Sequence, residues 1–121
     1  MFMAPWEIDY PELQAHLDIA LPRRGELRSA LGVKDQVVVS SIGRLYSLKG
    51  FQDVITAVTR LVSEGLPVTL LIAGDGPYRQ HLEALAARAP VGAVRLLGNL
   101  TRHGIVELLV SSDVFVLCSH V

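Results

Sequence analysis

Apolar residues along this chain fall into four short runs, and helical periods separate the runs. Gln36 to Ile42 (QVVVSSI), Val68 to Ala73 (VTLLIA), Ala93 to Leu97 (AVRLL) and Val114 to Cys118 (VFVLC) are too short for buried helices, so each predicts a strand. After the first run, Phe51, Val54, Ile55, Val58, Leu61 and Val62 recur on one helical face. Leu82, Leu85, Ala86 and Ala89 do the same after the second, and Ile105, Leu108 and Leu109 after the third. Pro77 suits the first position of its helix, and Thr101 suits an N-cap.

Strands that are apolar throughout need cover on both faces, and the amphipathic helices between them supply it. The fold class is therefore α/β: a Rossmann-like parallel sheet with helices on both faces. Right-handed crossovers bring the strand-to-helix loops to one edge, where ligands of open α/β sheets bind. Those loops are Gly43 to Gly50, Gly74 to Pro77, Gly98 to Thr101, and Ser119 onward. Ahead of the sheet, Gly25 to Leu31 predicts a short helix closed by Gly32. Residues 1–22 mix three prolines with scattered acids and show no sustained period, which predicts a connecting segment before a domain at 23–121.

Composition narrows the function. Half of the 121 residues are hydrophobic, enough for one modest core. Eleven basic against twelve acidic residues give a formal charge of −1, which argues against nucleic acid or anionic membranes as partners. Any bound anion must then be held by a few placed groups. No apolar run approaches the roughly 20 residues of a spanning helix, and Glu7, Asp9 and Glu12 occupy the place of a basic signal-peptide start. The lone Cys118 can form no internal disulfide. Together these predict a cytoplasmic protein with no transmembrane segment. His16, His81, His103 and His120 show no metal-ligand spacing, so no metal is expected; His81 reads as a solvated helix residue, and His103 and His120 as ordinary residues at the loop edge.

The first loop, GRLYSLKG, carries the most chemistry. Gly43 and Gly50 let the backbone approach a ligand, Arg44 and Lys49 supply two cations five residues apart, and the following helix offers free N–H groups. That combination suits a diphosphate, although an Arg and a Lys in a loop can equally be solvated surface charges. The second loop, Gly74-Asp75-Gly76-Pro77-Tyr78-Arg79, follows a strand as a dinucleotide fingerprint does, but Arg79 stands where the third small residue belongs. Asp75 reads instead as the cap of the next helix. No P-loop is present, because Gly43 to Gly50 lacks a Gly before its Lys and a Ser or Thr after it.

GRLYSLKGFQDVITA, LLIAGDGPYRQHLEAL, VRLLGNL and SSDVFVLCS, in this order, resemble the C-terminal nucleotide-sugar-binding half of family 4 glycosyltransferases, retaining enzymes of the GT-B fold. The resemblance covers roughly Leu27 to Ser119, and it implies transfer of a sugar from a nucleotide diphosphate sugar to an acceptor with retention of configuration. It assigns the donor diphosphate to Arg44 and Lys49 as the catalytic cations, with Gly43, Gly74 and Ser119 lining the nucleotide sugar and Gly98, Asn99 and Leu100 beside the base. It implies no cofactor other than the donor. The family's paired glutamates would follow Ser119 and its acceptor domain would precede PWEIDY, so the sequence reads as a partial domain, inactive alone and able to self-associate through an uncovered edge. A stand-alone nucleotide-binding or interaction module is the alternative, and a GT-B-fold epimerase of nucleotide sugars is a weaker third.

Overall fold

The computed structural model describes residues 10–46 and 48–116. Strands β1 (Val37–Ile42), β2 (Val68–Ala73), β3 (Val94–Gly98) and β4 (Val114–Phe115) form one parallel sheet in the order β3-β2-β1-β4. The chain moves outward from β1 to β3 and then crosses back to place β4 on the other side of β1. Every residue of β2 is buried, as expected for a strand with neighbours on both edges and helices on both faces.

Alternation along β2 divides the core. Leu70 and Ile72 pack with Phe51, Ile55, Val58 and Leu82, which come from α3 (Leu48–Ser63) and α4 (Arg79–Ala86). Leu71 and Ala73 face the opposite way and pack with Val38, Ile42 and Leu108, the last from α5 (Arg102–Ser111). The sheet is thus covered on both sides, as the apolar strands require. Leu61, which the periodicity places on the buried face of α3, lies at its margin and is exposed.

Several expectations need correcting. The described part of the segment expected to connect only, residues 10–22, contains α1 (Tyr10–Ala20), followed by a 3₁₀ turn (Leu21–Arg23) and α2 (Arg24–Ala30). Pro11 is the second residue of α1, where a missing N–H costs nothing. Helix α1 meets α5 through a small cluster in which Ala20, Val106 and Val110 are buried and Leu17 and Leu27 join. So few apolar residues from one helix leave little period to read. Pro77 does not open α4 but stands in the turn before it, and the helix starts at Arg79. The fourth strand is described only at Val114–Phe115, with the Val116 N–H donating to the Ser40 carbonyl (2.9 Å). Cys118, Ser119 and His120 lie outside the described residues.

At the edge of the sheet opposite the loops, the last turn of α5 is tied to α2. Arg24 donates to the Val110 carbonyl and to Asp113 Oδ1 (2.9 Å), and Arg28 donates to the Ser111 carbonyl (2.7 Å) and to Asp113 Oδ2 (3.1 Å). The Val38 N–H donates to the same Asp113 carboxylate (2.8 Å). This network fixes where β4 begins beside β1.

Candidate functional site

Backbone hydrogen bonds stitch the three described strand-to-helix loops together. The Gly43 N–H donates to the Ala73 carbonyl (3.1 Å), extending the β1–β2 ladder past the end of β1. The Leu45 N–H then donates to the Asp75 carbonyl (3.0 Å), and the Leu45 carbonyl accepts from the Tyr78 N–H (3.1 Å). On the other side, the Gly74 N–H donates to the Gly98 carbonyl (2.7 Å). Residues 43–46, 74–77 and 98–101 therefore form one continuous rim along the carboxyl edge of β1, β2 and β3.

The glycines are there because backbones touch. A Cβ on Gly76 would fall 2.6 Å from the Leu45 carbonyl oxygen, closer than any side chain tolerates. Leu45, which the sequence reading passed over, anchors the first loop: its side chain is fully buried among Phe51, Ile72 and Leu82, and its N–H and carbonyl are both engaged. The available signal was a leucine directly after Arg44, ahead of the helix. Its neighbours Arg44 and Tyr46 face solvent, with the Arg44 guanidinium 5.9 Å from the Tyr46 ring centre. The rim thus holds a cation on a rigid stem, beside the first turn of α3.

Lys49 falls in that first turn; its side chain lies outside the described part of the structure. Gly50 is buried beneath the rim. Gly98 is buried, Asn99 is exposed and Leu100 packs partly into the core beneath α5. Thr101 caps α5 as its sequence suggests, its hydroxyl accepting from the Gly104 N–H (3.0 Å).

Asp75 does not cap α4. Its Oδ1 accepts from the Gly76 N–H (2.8 Å), while Oδ2 pairs with Arg79 (3.0 Å), and the N-cap position of α4 is Tyr78, without a side-chain bond. The reason is geometric: the turn at Pro77 sets the helix start two residues later, leaving Asp75 to reach Arg79 one helical turn on. Arg79 also pairs with Glu83 (2.7 Å), and its guanidinium sits against Gly98, 3.3 Å from where a Cβ there would be. A bulky cation therefore fills the space that the third glycine of a dinucleotide fingerprint would leave open. His103 turns away from the loop edge toward α1, where it meets His16, and His81 is exposed beside Tyr78.

The chain is 35% identical to the alpha-D-kanosaminyltransferase of Streptomyces kanamyceticus over 98 residues, which are 80% of this chain and 25% of that protein. It is 33% identical to a GDP-mannose-dependent phosphatidylinositol dimannoside mannosyltransferase of Mycobacterium tuberculosis over 95 residues, 77% of this chain and 24% of that one. A crystal structure of Anabaena Alr3699/HepE in complex with UDP-glucose superposes with a TM-score of 0.64 at 25% identity, over 78% of this chain and 26% of that one. The complex of the same protein with UDP and glucose gives 0.66 at 26% identity and the same coverage. The chain thus spans about a quarter of the length of these relatives. No helix among the described residues is long and apolar enough to cross a membrane. The family model described as glycosyl transferases group 1 matches residues 23–121, and the chain belongs to that family.

Proposed function

We propose that this chain contributes the diphosphate-binding part of the donor site in a retaining glycosyltransferase that takes its sugar from a nucleotide diphosphate sugar. The observation that carries the proposal is the placement of Arg44: exposed, on a loop locked through Leu45 to its neighbour, and next to the first turn of α3. A bound diphosphate there would meet Arg44, Lys49 and the free N–H groups of the helix start. The same cations would stabilise the charge that builds on the diphosphate as the sugar leaves, without a resident cofactor or metal. Gly43 and Gly74 would bring the backbone close to the donor and Gly98, Asn99 and Leu100 would border the base; Ser119, outside the described residues, is the further residue assigned to the nucleotide sugar. An N-terminal domain outside this sequence would bind the acceptor, and the cytoplasm is where nucleotide sugars would be met.

The relatives named for GDP-mannose and the neighbour bound to UDP-glucose support a nucleotide-sugar donor. Calorimetric titration with UDP and GDP tests the reading. Replacing Arg44 and Lys49 together by Ala is expected to weaken the better ligand at least tenfold, about 1.4 kcal/mol. Unchanged affinity in the double variant would remove the diphosphate from this loop.

A further inference from the structure

The contact between α1 and α5 brings together two histidines that stand 87 residues apart in sequence. His16 Nδ1 lies 3.3 Å from His103 Nδ1. The second nitrogen of each ring faces a carboxylate: His16 Nε2 is 3.5 Å from Glu12, and His103 Nε2 is 3.4 Å from Glu107. Arg102 pairs with the other oxygen of Glu12, and Arg23 lies 3.6 Å from the same Glu107 oxygen that faces His103.

This arrangement is hard to satisfy with two neutral imidazoles, each of which has one N–H and one lone pair. If both Nε2 atoms carry the proton and face their carboxylates, two Nδ1 lone pairs point at one another. If one ring instead donates from Nδ1, its own Nε2 lone pair is turned against a carboxylate. A proton shared between the two Nδ1 atoms resolves both conflicts, and so does a metal cation. The metal takes a lone pair from each ring and leaves both Nε2–H groups for the glutamates, the arrangement in which carboxylates orient metal-bound histidines. The spacing is suitable as well: in a tetrahedral site with zinc–nitrogen bonds of about 2.0–2.1 Å, two nitrogens lie about 3.3–3.4 Å apart.

We propose that His16 and His103 form a two-histidine site for a borderline divalent metal of the zinc class, with water filling the remaining positions. Among the described residues no group of three or more histidine, cysteine, aspartate or glutamate side chains could hold a metal, so the protein would supply two ligands and water the rest. The site lies between α1 and the first turn of α5, two residues past the GNLT loop, and a bound metal would clip α1 onto the sheet domain. Imidazole pairs select zinc, nickel or copper over magnesium and calcium, which prefer oxygen.

The test is calorimetric titration of the untagged chain with zinc chloride, with magnesium chloride as the control. One zinc per chain is expected, and either His16→Ala or His103→Ala should weaken it at least tenfold, whereas His81→Ala, on the exposed face of α4, should not. The melting temperature should rise with zinc in the parent protein and stay unchanged in the two site variants, whose own melts establish that they fold. Zinc binding that survives His103→Ala, or that is lost equally in His81→Ala, overturns the proposal, as does magnesium binding as strongly as zinc.

Discussion

A Cβ on Gly74 would lie 1.8 Å from the carbonyl oxygen of Gly43, and Gly74 has φ +133. The first two loops of the rim can meet only because position 74 has no side chain. Gly74→Ala must therefore either push the loops apart or strain the backbone, at an expected cost of about 2–4 kcal/mol. Urea denaturation measures this, and a midpoint equal to that of the parent would show that the rim is looser than its hydrogen bonds suggest.

Leu45 is the pin on which Arg44 turns. Truncating it to Ala empties a fully buried position and is expected to cost about 2–4 kcal/mol, while Leu45→Met, of similar volume, should cost under about 1.5 kcal/mol. The same pair separates anchoring from stability. If Leu45 positions Arg44, the Ala variant also loses nucleoside diphosphate affinity at temperatures where it remains folded, and the Met variant keeps it. Equal affinities in both folded variants would mean that Arg44 needs no anchor.

What the sequence revealed and what it hid follow from how far each interaction reaches. The sheet was legible because buried strands such as VTLLIA must be apolar on both faces, and the helix of Phe51, Ile55 and Val58 because it covers a wide area. Thr101 was legible because a cap reaches only three residues on. Helix α1 was hidden, since it is held to α5 by Ala20 and Leu17 and by polar contacts to residues about 90 positions away, as Glu12 with Arg102 shows. Asp75 was misread because Asp before a Pro at a plausible first helical position caps a helix in many turns, whereas this helix starts two residues later, at Arg79. The rim glycines announced a turn, but which backbone each one touches is a tertiary fact. The pairing of His16 with His103 has no trace in the spacing at all.

Thr101→Ala removes the acceptor for the Gly104 N–H at the start of α5 and is expected to cost about 1 kcal/mol. Thr101→Ser keeps the oxygen and should cost only a few tenths, in keeping with the similar capping preference of the two residues. Thermal melts of the two variants compared with the parent decide it: equal losses would place the effect in the threonine methyl group, not in the cap.

At the opposite edge of the sheet, Asp113 makes stability depend on acid. The Val38 N–H donating to its carboxylate holds its pKa below the usual aspartate value, and the hydrogen bond and charge of Arg28, with the charge of Arg24, act in the same direction against the cost of burial. A depressed folded-state pKa means that the unfolded chain takes up this proton first as pH falls. The stabilisation is therefore complete above the unfolded value of about 3.9 and is lost as pH drops through the lower folded value. Asp113→Asn keeps the side-chain shape and one acceptor but removes the charge that faces both arginines, so at neutral pH it should be less stable by about 1–3 kcal/mol. The two proteins differ at this position alone, so the difference between their stability curves isolates this carboxylate. That difference is expected to stay constant from neutral pH down to about 4 and to shrink below it, because a protonated Asp113 is as uncharged as the asparagine. Chemical denaturation of both proteins across that range is the measurement. A gap that persists unchanged in strong acid would show that the loss in Asp113→Asn comes from altered packing against Arg28 and Val38, and that the carboxylate charge does not hold β4 in place.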